Sequence, residues 1–585
     1  MRLEEYWGIG PKTRDLLAEN LGVEAALEAI ETADVRALTD AGLPRGRATR
    51  ILRHAHGGEA MDVLATRDAR QVYKQLLDIV SSYAVTADAG DRIRILTPLS
   101  DRAAMADRLE DVRIARETWT ELSEEEQAAV MEAFENYDES ERDKRAAVQA
   151  ALDLQDIGVD SGVFAPLGNL DESELREAVA ALTGLRGEGS RVGEGADGRL
   201  DELRDQLGRV EDMSATPESL VEEVQAGARG TDQLREALAR EIANETGVDL
   251  GRVREAMVTE AVDARAFAGE TLRGLADALR EDVETREQEV ATEYEEILDE
   301  ASAAIDQAVT AVDDIALSVS LARFATTFDL VEPTFSDEQV AGVVDARNLF
   351  LEDGGQSVQP ITYAVGNHSL SVPGATVPPQ GDRVAVLTGA NSGGKTTLLE
   401  TLAQVQLLAQ MGLPVPADSA ELQVVESIVF HRRHASFNAG VLESTLRSVV
   451  PPLSDPGRTL MLVDEFEAIT EPGSAADLLH GLVTLTVDKE ALGVFVTHLA
   501  DDLEPLPEEA RVDGIFAEGL TQDLELKVDY QPRFETVGRS TPEFIVSRLV
   551  ADASDRRERA GYETLAEAVG EQAVQRTLVD AKWTE

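Results

Sequence analysis

Residues 383–410 read RVAVLTGANSGGKTTLLETLAQVQLLAQ. An unbroken apolar run (RVAVLT) predicts a strand buried on both faces, a short glycine-rich loop follows, and the leucine-rich remainder predicts a helix. Strand, glycine loop and helix in this order form a phosphate-binding loop, and the loop lies in Gly389, Ala390, Asn391, Ser392, Gly393, Gly394, Lys395, Thr396 and Thr397. The glycines let backbone amides wrap around phosphate oxygens. Lys395 brings a positive charge to the outer phosphates, and the Thr396 hydroxyl is a ligand for magnesium.

Two further strands end in polar residues. TLMLVDE (459–465), roughly seventy residues on, is an apolar strand closing on Asp464 and Glu465. Asp464 is placed to organise Mg2+ beside Thr396, and Glu465 to orient or deprotonate an attacking water. GVFVTH (493–498) ends in His498, positioned to sense the terminal phosphate or that water. Open parallel sheets bind ligands at the C-terminal ends of their strands, so Lys395, Glu465 and His498 are the expected catalytic residues of an ATP site.

Outside this segment the composition sets limits. The 585 residues exceed one hydrophobic core, so several domains are expected, and 43% hydrophobic residues suffice to pack them. Against 112 acidic residues stand 54 basic ones, of which 7 are lysine, for a formal charge of −58. Such acidic, lysine-poor chains suit concentrated salt, where short screening lengths blunt self-repulsion, so a halophilic setting is expected. The absence of cysteine excludes disulfides, a thiol nucleophile and thiolate metal sites. The start, MRLEEYWGIG, lacks a basic and then apolar leader, and no 18 apolar residues stand together, so a soluble, cytoplasmic protein is expected.

The first 54 residues carry 8 basic and 9 acidic side chains, a charge of −1 that leaves −57 for the rest. They contain two similar units, YWGIGPKTRDLLAENLG (6–22) and LTDAGLPRGRATRILRHA (38–55), each a glycine turn flanked by helix-forming sequence. These resemble a tandem helix-hairpin-helix module, in which glycines allow close approach to a DNA phosphate and helix-start amides bind it without reading bases. Gly8, Gly10, Lys12, Gly42, Arg45, Gly46, Arg47 and Arg50 are the expected DNA contacts, with Arg53 continuing a basic run that no acid interrupts. A helical hairpin that docks protein is the competing reading.

Residues 60–335 read as almost wholly helical, and apolar residues from Leu272 through Leu279, Val290 and Ile305 to Ile315 recur at steps of three, four or seven. Unbroken, that helix is about 65 Å long at ~1.5 Å per residue. Glycines 184, 187, 189, 193, 195 and 198 mark a flexible turn between helical arms.

TGANSGGKTT, LVDE and VTH in this order resemble the ATPase domain of the MutS family. LLDIVSSYAVTADAGDRIRILTPLSDRAAMADRLEDV (76–112) is similar to that family's entry into its core, AVDDIALSVSLARFATTFDLVEPTF (311–335) to its return, and TVGRSTPEFIVSRLV (536–550) to its Gly-x-Ser segment. The resemblance, over roughly residues 60–550, implies a helical core with coiled-coil lever arms (57–335) and a P-loop ABC-type ATPase domain (336–550); with the helix-hairpin-helix module (1–56) and a helical tail (551–585), a multidomain α + α/β fold is expected. It further implies a homodimer that completes its nucleotide sites across the interface and couples ATP hydrolysis to DNA binding in repair or recombination. Departures matter too. Nothing before the core matches a mismatch-recognition domain, and no small nuclease domain follows the ATPase, as in the archaeal group of the second branch, so nuclease activity is not expected. In SFNAGVLES (436–444) Asn438 stands where the family places a serine segment reaching the partner's nucleotide, and EAITEPGSA (467–475) replaces a glycine-rich stretch. A chromosome-organising coiled-coil ATPase is disfavoured, because both nucleotide motifs here follow the helical arm. A nucleotide-gated scaffold and an RNA- or ribosome-directed ATPase are the alternatives.

Overall fold

The computed structural model describes the chain except residues 1, 141–142, 187–190, 226–229, 260, 373–376, 390–393, 433–438, 455–457, 467–471, 521–525, 539–541, 554, 571–573 and 575–585. Two compact units emerge: Met1–Gln127 with Asp314–Glu585, and Ala128–Asp313. Both cuts fall inside the stretch 57–335 that reads as one helical core. Its two flanks pack with the sheets because the helix Arg67–Ser82 buries Val72, Tyr73, Leu76 and Val80 in the cluster that holds Leu399, Leu402 and Phe430.

Among the described residues of the first unit, ten strands form two sheets: β1 (Thr334–Ser336), β2 (Val340–Ala346), β3 (Ile361–Gly366), β4 (Val384–Gly389), β5 (Ser419–Gln423), β6 (Ser427–His431), β7 (Thr459–Asp464), β8 (Leu492–Val496), β9 (Ala510–Leu520) and β10 (Leu526–Arg533). The larger sheet runs β10-β9-β4-β8-β7-β6, parallel except for the antiparallel edge pair β9–β10, and the smaller runs β1-β5-β2-β3. β4, β7 and β8 are buried at every position, as continuous apolar runs require when both sheet faces are covered. The helix Gly394–Gln410 is buried nearly all round, and three glutamines inside it hydrogen-bond to neighbouring backbone. Gln404 accepts from the Leu349 amide (2.9 Å), Gln406 donates to the Gln423 carbonyl (3.0 Å), and Gln410 donates to the Val425 carbonyl (2.9 Å).

The edge strand β6 is tied to the start of Arg67–Ser82. Thr66 Oγ1 donates to the Phe430 carbonyl (2.6 Å) and accepts from its amide (3.1 Å), and Asp68 accepts from the Arg432 amide (2.9 Å).

The N-terminal helices Pro11–Asn20, Val23–Glu31, Val35–Asp40 and Arg45–Gly57 close on Leu17, Ile30, Leu38, Ile51 and Leu52, with Ile95 from the later helix Ala87–Ile95. The two predicted units superpose by role. Gly8 (φ +81°) and Gly42 (φ +95°) make the turns, Ile9 and Leu43 plug the core, and Gly10 and Pro44 precede the helices. Gly46 is therefore not a turn glycine: it is the second residue of its helix, where an added Cβ would meet nothing within 4 Å.

In the second unit the predicted stripe is not one helix. It is Ala264–Glu300 and then Ser302–Thr327, interrupted at Ala301, so the longer piece spans about 55 Å. The first runs antiparallel to Gly198–Ala215, with Arg280–Glu211 (2.5 Å), Arg204–Glu287 (3.1 Å) and Arg286–Asp197 (2.8 Å) along the seam. The glycine-rich turn closes as a two-residue ladder, Leu185–Arg186 against Arg191–Val192, and residues 187–190 lie outside the described part. Among the described residues no helix is long and apolar enough to cross a membrane.

Candidate functional site

Strand register brings the predicted residues together. Val496 lies level with Leu387 on one side and Asp464 on the other, so β4, β8 and β7 end side by side. The Thr497 amide donates to the Leu387 carbonyl (3.1 Å) and the Glu465 amide to the Val496 carbonyl (3.0 Å), fixing these ends to one another.

β4 ends at Gly389 with φ +126°, where a Cβ would stand 2.0 Å from the Ile515 carbonyl oxygen; only glycine fits. Ala390, Asn391, Ser392 and Gly393 lie outside the described residues, as do Asn438 and the Arg539–Ser540 pair of the Gly-x-Ser segment. Gly394, Lys395, Thr396 and Thr397 form the first turn of the helix that follows. Lys395, 4% exposed, donates from Nζ to the Gly389 carbonyl at 2.8 Å. Thr396 Oγ1 donates to Asp464 Oδ2 at 2.7 Å, and Asp464 is buried. A hydroxyl and a carboxylate are the hard oxygen donors that suit magnesium. Glu465 holds φ +41°, an uncommon backbone for a glutamate, and its Oε1 lies 3.1 Å from His498 Nε2. Lys395, Thr396, Asp464, Glu465 and His498 thus gather at one end of three adjacent strands.

Several neighbours escaped the sequence reading. Glu400, one helical turn past Thr396, pairs with Arg432 (2.6 Å); burial pushes its carboxyl up, Arg432 opposes this, and the Asp464 charge adds to it. Its i+4 spacing from Thr396 was the available signal. Gly538 is wedged between Gly389 and Gly514: a Cβ on Gly538 would stand 2.8 Å from the Gly389 Cα, and the Gly538 amide donates to Thr388 Oγ1 (2.6 Å). Beneath them Asp513 accepts from the Tyr363 hydroxyl (2.8 Å), Arg511 and the Glu535 amide (3.1 Å), while burial pushes its carboxyl up against the pull of Arg511. Tyr363 is therefore core. Beside the start of Gly394–Gln410 opens a cavity of about 290 Å³, lined among others by Asn348, Leu351, Val358, Gln359, Thr397 and Tyr530.

In the N-terminal module the basic residues are partly engaged. Arg45 pairs with the largely buried Asp91 (2.6 Å), Arg47 donates to Thr13 Oγ1 (2.6 Å) and the Gly8 carbonyl (3.3 Å), and Arg50 donates to the Gly46 carbonyl (3.0 Å). Lys12 is exposed, and the helix Arg45–Gly57 has no side-chain cap at its start. Gly8, Gly10, Gly42, Arg45 and Arg47 lie around the two turns, which Arg47 ties together.

Comparison with known proteins bears on this arrangement. Residues 385–507, which contain the lysine, the acidic pair and the histidine, match the MutS domain V family. Over 224 residues, 38% of either chain, the sequence is 45% identical to the DNA-binding protein MutS2 of Pyrococcus furiosus. It is 29% identical over 185 residues to the Endonuclease MutS2 of Shouchella clausii, covering 31% of this chain and 22% of that one. It is 27% identical over 186 residues to the DNA mismatch repair protein Msh3 of Homo sapiens, covering 31% and 15%. The matches thus span well under half the length of these relatives. What the chain resembles is thus the MutS family over its domain V, and MutS2 proteins among the relatives it matches.

Proposed function

We propose that the chain binds ATP at the strand ends of β4, β7 and β8, hydrolyses it to ADP and phosphate, and couples the cycle to DNA held by its N-terminal hairpins. The observation that carries this reading is the convergence of Lys395, the Thr396–Asp464 pair and the Glu465–His498 pair at the C-terminal ends of three adjacent strands. Lys395 leaves the Gly389 carbonyl for the outer phosphates, replacing a neutral acceptor with a charged one. Thr396 and Asp464 would hold Mg2+, which supplies charge neutralisation for the phosphates. Glu465 orients the attacking water and takes its proton, and His498, beside Glu465 Oε1, steadies that carboxylate and faces the terminal phosphate. The cavity beside Tyr530 and Val358 seats the adenine. Dimerisation, with Asn438 reaching the partner's nucleotide, follows from the family resemblance.

At the other end, the glycine turns and helix starts take duplex phosphates without reading sequence. A locally neutral module on a chain of −58 is the surface on which a polyanion is least repelled. The acidic surface fits a salt-rich cytoplasm. Repair or recombination control is the role we assign.

The test is ATP turnover in concentrated salt with no DNA, plain duplex, mismatched duplex and branched DNA, for the wild type and for Lys12→Glu/Arg50→Glu, which leaves the module's core intact. DNA-dependent turnover that the double variant loses supports the reading. Turnover that no DNA alters points to RNA or the ribosome as the coupled ligand, and ATP binding with no turnover points to a nucleotide-gated scaffold.

A further inference from the structure

The N-terminal module carries a feature that phosphate binding leaves unused. Trp7, immediately before the first turn glycine, is 55% exposed, and its ring stacks on His54 with centroids 3.8 Å apart and planes 25° from parallel. An indole of this size is commonly buried, and the packed core beneath it is complete with Ile9, Leu17, Ile51 and Leu52. The imidazole instead holds the ring in place at the surface. Along the same helix face, at steps of three and four residues, stand Arg47 and Arg50, both exposed. That helix, Arg45–Gly57, contains no acidic residue. An ordered, outward aromatic at the end of a basic stripe is the combination that binds unpaired strands: cations follow the backbone and a ring takes a base face.

Bases inside a duplex have both faces covered by their neighbours, so such a ring has nothing to stack on in intact duplex. We infer that the Trp7–His54 stack is a seat for a DNA base displaced from the helical stack, at a gap, an extrahelical position or a branch. Arg50 and Arg47 hold the adjoining phosphates, and the hairpin turns grip the flanking duplex. This inference rests on the proposed DNA binding by the hairpins and adds to it a preference for structure: DNA with an unstacked base is favoured over plain duplex, with no preference for its sequence, since every base offers a π face.

The test uses the full chain in concentrated KCl and measures binding to plain duplex, to the same duplex with one extrahelical base, and to the matching RNA. Wild type is expected to bind the bulged DNA about tenfold more tightly than plain duplex, a value within the range set by base–aromatic stacking. Trp7→Ala keeps the plain-duplex affinity and loses that preference, whereas Trp7→Phe retains most of it. Tryptophan emission supplies a second readout: bulged but not plain DNA quenches the wild type, and Trp7→Phe abolishes the difference. Plain-duplex binding with no gain from the extrahelical base overturns the seat and leaves the hairpin reading standing. Equal weakening of all DNAs by Trp7→Ala overturns it as well, by making the ring a general contact, and tighter binding of the RNA overturns the assignment to DNA. Failure of the wild type to bind any DNA removes the hairpin reading and the seat together.

Discussion

The strand-end site and the N-terminal hairpins both rely on glycine turns that lead into helices, yet they enforce them differently. Gly389 is boxed in by the backbone of Ile515 and by Gly538, so its identity is dictated by atoms at contact distance. Gly8 and Gly42 meet only side-chain carbons at 3.4 and 3.5 Å, and what demands glycine there is positive φ alone. The sheet site is set by long-range packing of strands, the hairpins by local backbone conformation. The first should tolerate almost no change, and the second should respond in small steps.

Substitution can break that contrast, beginning with the largest effect. Lys395→Ala should lower ATP turnover about a thousandfold, the scale of losing a preorganised charge on the transferring group, read by phosphate release. Glu465→Gln should lower turnover by roughly two to four orders of magnitude while nucleotide binding persists, so a filter assay would find retained ATP; equal loss of binding would make Glu465 structural. Gly389→Ala should destabilise the first unit by about 2–4 kcal/mol in denaturant melts, because backbone must move. Asp91→Asn should cost no more than ~1 kcal/mol, since Arg45 is half exposed and salt screens the pair. Gly46→Ala should be neutral or stabilising by roughly 0.5–1 kcal/mol, the helix-interior preference for alanine. Lost duplex affinity in that variant, with stability kept, would place a ligand contact at Gly46.

The same contrast explains what could be read from the sequence. β4, β7 and β8 announce themselves by uninterrupted apolar runs, and the polar residue closing each run is close enough in sequence to be assigned a role. Glu400 with Arg432, the Gly514–Gly538 approach and the Asp513 network depend on strand order, in which β9 lies beside β4 and β6 beyond β7, and no local pattern encodes that order. The break at Ala301 was hidden for the opposite reason: alanine is the strongest helix former, and the flanking residues keep their hydrogen bonds, Ala301 to Ile297 and Ile305 to Ala301, both at 2.9 Å. That the structural counterpart of Gly10 is Pro44, with Gly46 inside the helix, is a matter of backbone geometry that the spacing of glycines does not encode. Asn438 falls on a stretch whose structure is not described.

The clasp between Thr66 and Phe430 joins residues 364 positions apart. A ribosome adding ~5–20 residues per second completes the second partner some 20–70 seconds after the first. For most of that interval, until the strands from Thr334 onward emerge, Val72, Leu76 and Val80 have no strand to cover them, while residues 128–313, whose partners are close in sequence, can already close on themselves. Birth order therefore opposes architectural order: the inserted unit matures first, and the opening segment must be kept from aggregating until the last third of the chain arrives.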